Sequence, residues 1–213
     1  QGGTRVVSTA TANGSGALCV TNGAQLFVNG DSNAPVVMTS NLDDGTWRAS
    51  CNEWGNLTIC GDAYIGFDGV TNSGGFPGNT LAPSASNEAN MEGLVEEAGN
   101  PTLNNYGGGD DNYDAGSISY LSIRYGGRVV GLSNELNGLS LGALGRGTQI
   151  HHVEIMNNVD DGIEIWGGTV GLKYVTVWNI GDDSFDVDQG WRGKAQFGLI
   201  VQLSLIHISE PTR

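Results

Sequence analysis

Asn157-Asn158-Val159-Asp160-Asp161-Gly162-Ile163-Glu164-Ile165 returns 22 positions later as Asn179-Ile180-Gly181-Asp182-Asp183-Ser184-Phe185-Asp186-Val187. The preceding Val153-Glu154-Ile155 returns at the same interval as Val175-Thr176-Val177. A period near 22 residues, built of short alternating strands joined by Gly, Asn and Asp corners, predicts a solenoid of the parallel β-helix type. Side chains alternate across a strand, so Val153, Ile155, Ile163 and Ile165 are expected inside, with Glu154 and Glu164 outside. The next coil puts Val175, Val177, Phe185 and Val187 inside, with Thr176 and Asp186 outside.

The pattern extends in both directions. An earlier coil has Leu121-Ser122-Ile123 and Leu139-Ser140-Leu141 with extra residues at the corner between them, and a later one begins at Leu199-Ile200-Val201. Gly147-Thr148 and Gly168-Thr169 mark a third corner, where glycine can take positive φ. Nearer the N-terminus, Leu18/Val20, Leu26/Val28 and Val36/Met38 form a looser version. The Asn22-Gly23 and Asn29-Gly30 pairs that break it suit hairpins of a sandwich equally well. Helical periodicity is absent; Asn87 to Ala98 comes nearest, and Gly93 interrupts it. The expectation is an all-β, right-handed parallel β-helix forming one domain over residues 1–202. It carries a Gly/Asn/Asp-rich insertion at about 41–115, with one strand at Trp54–Ile59.

Acidic residues outnumber basic ones 23 to 9, for a net charge of −14. A phosphate backbone needs a basic face, so nucleic acid is a poor partner. Divalent cations or a soluble secreted surface fit the balance. No stretch has the length of a membrane-spanning helix, so the chain is not expected to span a membrane. Cys51 and Cys60 flank the insertion strand and either pair or remain free, with Cys19 odd; without CxxC spacing, zinc and redox roles lack support. Asn13-Gly14-Ser15 and Asn56-Leu57-Thr58 match the glycosylation sequon. Leu203 to Arg213 resembles an in-frame translation of a sequencing-library adapter. On that reading the native sequence ends near Gln202, the chain is a metagenomic fragment, and His207 and Glu210 stay out of any site.

Stacked coils lie about 4.8 Å apart, which sets Asp160 beside Asp182, Asp161 beside Asp183, and Glu164 beside Asp186. Like charges that close raise one another's pKa or recruit a cation. Calcium, an oxygen-seeking ion, suits Asp160, Asp161, Asp182, Asp183, Glu164 and Asp186 better than zinc does, and Asp188 extends the stretch. The same acids also serve as corner caps, with Asn157 or Asn158 stacking on Asn179. His151 and His152, adjacent on a strand, should face opposite ways and so not share a metal. Trp166, Trp178 and Trp191 are placed either to stack on sugar rings or to line the flank.

Asn158-Val159-Asp160 followed by Gly181-Asp182-Asp183 resembles the motifs of polygalacturonase-type glycosidases, in which paired carboxylates serve an inverting displacement. That resemblance implies Asp160, Asp182 and Asp183 as catalytic. The family's Gly-His-Gly is absent, and Arg192-Gly193-Lys194 comes too early for its Arg-x-Lys. A broader set of motifs is similar to bacterial secreted or lipid-anchored β-helix proteins of no established activity. It comprises Ile118 to Gly127, Asn134 to Leu141, Asp160 to Glu164, Gly167 to Val170, Asp182 to Asp186 and Gly193 to Phe197. Trp54-Gly55-Asn56-Leu57, Glu92-Gly93-Leu94 and Tyr106-Gly107-Gly108 join them upstream. This resemblance implies an extracellular or outer-surface location and a structural, adhesive or glycan-binding role. A polysaccharide hydrolase or lyase is the alternative.

Overall fold

The computed structural model describes residues 1–11, 15–67, 82–94, 103–131 and 134–203, and every element in it is a strand. The chain winds as a right-handed parallel β-helix. One sheet stacks β1 (Arg5–Ser8), β4 (Val36–Ser40), β8 (Gly116–Arg124), β12 (Gln149–Met156), β14 (Gly171–Trp178) and β16 (Lys194–Val201), and β3 (Leu26–Asn29) joins β8 beside β4. A second sheet runs β2 (Leu18–Val20), β5 (Leu57–Cys60), β11 (Leu139–Gly142), β13 (Ile163–Trp166) and β15 (Phe185–Asp188). Two antiparallel pairs stand outside the stack: β6 (Ala89–Asn90) with β7 (Asn105–Tyr106), and β9 (Arg128–Gly131) with β10 (Asn134–Leu136).

The register follows the repeat. Val153 and Ile155 pair with Val175 and Val177, Ile163 and Ile165 with Phe185 and Val187, and Glu164 with Asp186. The inward rows form one core from Val28 to Ile180, with Leu57, Leu139, Leu141, Ile155, Ile163 and Ile165 fully enclosed. Burying both the Val/Ile/Leu rows and the backbone ladders in the same stack makes each coil depend on its neighbours. Phe185 and Val187 are less covered because they lie on the last described coil, where Val187 is 50% exposed.

Corners are made by residues forced into positive φ. Tyr125, Asn157 and Asn179 turn the chain after the long strands, and Asn179 Nδ2 donates to Asn157 Oδ1 at 2.8 Å, the asparagine stack expected. A second line of positive φ runs through the middle of the long strands at Tyr120, His152, Tyr174 and Phe197 and divides their sheet into two faces. Their rings stack in succession, with centroids 4.3, 4.6 and 4.9 Å apart. Side-chain alternation breaks at that line, so His151 and His152 meet, with Nδ1 atoms 2.8 Å apart, contrary to the expectation that they face opposite ways. At the third corner Gly168 takes φ of +74°, and a Cβ there would sit 2.4 Å from the Leu144 carbonyl oxygen. Gly147 is held by crowding against the Asn112 carbonyl, with no positive φ. Gly168→Ala should therefore cost about 2 kcal/mol in urea unfolding, since it combines left-handed backbone with a backbone clash.

Several expectations change. The N-terminal runs are not hairpins: Leu18 and Val20 pair in parallel with Leu57 and Ile59, and Val36 and Met38 with Leu121 and Ile123. They are coils whose period is hidden by the insertion. The coil entering β16 is one residue longer than its predecessor, so Gly198 and Ile200 oppose Val175 and Val177, and Leu199 falls on the outward row. Within Asn87–Ala98 the described residues carry strand β6, not helix. Asn56 is fully buried and donates to Ser140 Oγ, which closes that sequon to glycosylation. All three cysteines are free; Cys51 is exposed, while the buried Cys60 thiol meets Cys19 on the directly paired strand, so Cys51 and Cys60 do not pair. No helix among the described residues is long and apolar enough to cross a membrane. Asn13 and the adapter-like residues 204–213 lie outside the described residues.

Candidate functional site

The second sheet has apolar residues on its inner row and Cys19, Thr58, Cys60, Ser140, Glu164, Trp166, Asp186 and Asp188 on its outer one. In an uncovered solenoid that outer row would face water. Here the insertion folds back over it and forms a second core of Cys60, Ala63, Ile65, Ala89, Met91, Tyr106, Ala143 and Trp166. Trp166 packs against Tyr106 at 6.1 Å and is 4% exposed, so it cannot stack on a sugar. Trp191 is also committed, its Nε1 donating to the Val170 carbonyl at 3.1 Å, whereas Trp178 remains half-buried on the outer side.

At the edge of this second core the carboxyls converge. Asp160, Asp161 and Asp182 each place one oxygen within 4.8 Å of the others, and Asp161, Glu164 and Asp186 do the same. The two groups share Asp161. The Asp183 side chain joins neither; its backbone N–H donates to Asp161 Oδ1 at 2.8 Å. Asp161 is thereby a corner cap as well as a member of the cluster. Its own N–H donates to Asn137 Oδ1 at 3.2 Å, its carbonyl accepts from Asn158 Nδ2 at 2.8 Å, and Asn137 Nδ2 donates to Glu164 Oε2.

Burial and mutual repulsion dominate the electrostatics. Glu164, 4% exposed, is pushed up to about 10, first by loss of water and then by Glu92 and Asp161. Asp161 is pushed to about 8 by burial and then by the charges of Asp160, Asp186 and Asp182, and Asp160 to about 6 by burial and then by those of Glu135, Asp182 and Asp186. Glu92, delivered by the insertion, rises to about 7 through burial and the charges of Asp160, Glu135, Asp188 and Asp186. Burial also raises Asp182 and Asp188. No arginine or lysine answers these acids: the ion pairs of the described residues are Arg5–Asp43, Arg48–Glu53, Arg124–Glu154 and Arg146 and Arg192 with Asp111.

Glu92, Glu135 and Asn137 escaped the repeat-based reading. None lies in the repeat, and they reach the cluster only because the insertion and the β9–β10 excursion fold onto the sheet. The carboxyls of the cluster can act as neutral hydrogen-bond donors while protonated, or as oxygen ligands to a hard cation once ionised.

No curated protein and no solved structure matches the chain. The family model described as pectate-lyase-like beta helix domain matches residues 1–205, nearly the whole chain, and with the parallel coils seen here it places the protein in that family.

Proposed function

We propose that the protein is an exported bacterial β-helix that binds acidic polysaccharide without cleaving it, with calcium held by the cluster around Asp161. The observation that carries this reading is the pair of three-carboxylate groups sharing Asp161, which no arginine or lysine among the described residues pairs with, and which opens to solvent at Asp182. Membership of a pectate-lyase-like domain family supports a polysaccharide as the ligand. A hard divalent ion satisfies carboxylate and carbonyl oxygens together and offers its free positions to the acid groups of a glycan.

Addition of calcium is expected to raise the melting temperature by several degrees and to promote retention of a uronate polymer, both reversed by chelator. An unchanged melting curve in calcium and in chelator would remove the cation from the reading.

One observation favours the alternative, a polysaccharide-degrading enzyme: Asp160, held near 6 beside Asp182, has the poise of a general acid. Asp160 and Asp182 bring one oxygen each within 4.8 Å, closer than the roughly 6.5–9.5 Å of inverting pairs and nearer the roughly 5–5.5 Å of retaining ones, so such an enzyme would be a retaining one. Asp182→Asn separates the two readings. Release of new reducing ends from a uronate polymer by the wild-type chain, lost in this variant, would establish the enzyme. No cleavage by either form, with the polymer retained by the wild-type chain and held less well by the variant that gives up a cluster oxygen ligand, is the outcome expected here.

A further inference from the structure

The chain is acidic overall, yet four of its nine basic residues gather in one place. Around the third corner from the carboxylate cluster, the outward face of β12, β14 and β16 forms an open groove of about 490 Å³. Arg146, Lys173, Arg192 and Lys194 line it, and no carboxylate does. This is a local reversal of sign within a chain of net charge −14.

The register explains how the groove is made. Lys194 opposes Gly171, which opposes Gln149, and Gln196 opposes Lys173, which opposes His151. Gly171 has no side chain, and a Cβ there would meet only the Lys194 carbonyl oxygen at 3.7 Å, so it leaves a depression between the glutamine and the lysine. The two arginines enter from the corner. Arg192 is fixed by two bonds to Asp111, at 2.5 and 2.7 Å, and by a third from Nη2 to the Tyr64 carbonyl at 2.9 Å. Arg146 Nη2 lies 4.0 Å from the same Asp111 Oδ2 that Arg192 Nη1 binds, and Arg146 donates to Asn112 Oδ1 at 2.9 Å. Asp111 thus positions both guanidinium groups while neutralising only one charge. Lys173 and Lys194 are exposed and have no ion-pair partner among the described residues.

We propose that this groove is a binding site for an acidic saccharide, whose carboxylate or sulfate groups are taken by Lys173, Lys194 and the pinned arginines. Sugar hydroxyls are taken by the amides of Gln149 and Gln196. The mixture of cations with neutral amides selects a ligand bearing both anionic groups and hydroxyls. A nucleic acid would need a longer basic face than four residues give, and would meet the repulsion of the remaining surface. The site is separate from the carboxylate cluster and needs no metal.

The test is calorimetric titration of the whole chain in chelator, at about 0.15 M salt, where the Debye length of about 8 Å leaves mainly close contacts. The probes are an oligouronate, a sulfated oligosaccharide, a neutral oligosaccharide of equal length and a single-stranded oligonucleotide. Binding of one or both acidic saccharides, with none of the neutral one, is expected; which of the two binds identifies the acid group. The double variant Lys173→Gln/Lys194→Gln, altered only at exposed positions, should melt as wild type and bind about tenfold or more weakly through loss of charge-assisted bonds. Lys173→Arg/Lys194→Arg should retain binding. Equal binding of the neutral sugar, an oligonucleotide bound as tightly as the saccharides, or an unaffected glutamine variant would overturn the proposal. Because chelator is present throughout, failure here is distinct from failure of the calcium reading, which is scored by its calcium dependence.

Discussion

Raising the pH from 5 to 8 in chelator is expected to lower the melting temperature, the reverse of the behaviour of a protein held by ion-paired acids. Glu164 moves from 4.5 in the unfolded chain to about 10 when folded, and Asp161 from 3.8 to about 8. Between those limits the folded state keeps protons that the unfolded state has released, so each pH unit shifts the balance toward unfolding. The stability contribution is whole below pH about 4, where both states are protonated, and is lost as pH rises toward the folded values. A group fully inside its window changes stability by about 1.4 kcal/mol per pH unit. Partial relaxation and water entry reduce the sum for two such groups to several kcal/mol, a shift of roughly 10 °C or more for a chain of this size. Glu164→Gln, which places an amide where a protonated carboxyl already sits, should flatten the curve with little loss of stability at pH 5. Calcium should oppose the decline, because the ion takes the ionised form. Differential scanning calorimetry across this range decides it: a melting temperature that holds level or climbs would mean that these carboxyls are not neutral in the folded protein.

Ile165→Ala should cost about 2–5 kcal/mol, the range for truncating a buried branched side chain to alanine. Ile165 is fully enclosed, with Leu141 below and Val187 above in the same inward row. A cavity there removes contacts from two interfaces at once, and in a solenoid those neighbour contacts supply most of the stability. Val187→Ala, one coil further on, removes less because half of that side chain is already in water; its cost should stay near or below about 1 kcal/mol. Urea midpoints of the two variants give the comparison. Equal losses would contradict the stacking order described here.

The repeat made most of the coil geometry legible. Alternation within Val153–Ile155 and Ile163–Ile165 assigned the inward rows, and the 22-residue interval assigned Glu164 to Asp186 and Asn157 to Asn179. It failed where backbone conformation overrode alternation. His152 at positive φ turns its ring onto His151 and into the aromatic stack, which no two-residue period can announce. It also failed where coils differ in length, as at Leu199, and where the first coils are separated from their partners by the insertion, as at Val36 and Leu121. The acids of the repeat were visible as a ladder, but Glu92 was only a motif letter in a loop, with nothing to tie it to Asp160.

What the sequence by itself determined is therefore the coil: its period, its inward rows and the register that stacks acid on acid. These are properties of residues a few positions or one repeat apart, and strand sterics translate such spacings directly into faces. The tertiary structure alone decided which outward residues meet water. Glu164 and Lys173 both occupy outward positions on neighbouring strands of the coil, yet one is buried and the other exposed. The difference is the insertion, which folds over Glu164 and leaves Lys173 uncovered. Desolvation, and with it the charge a carboxyl carries, depends on what a distant segment places above it, and no periodicity along the chain encodes that.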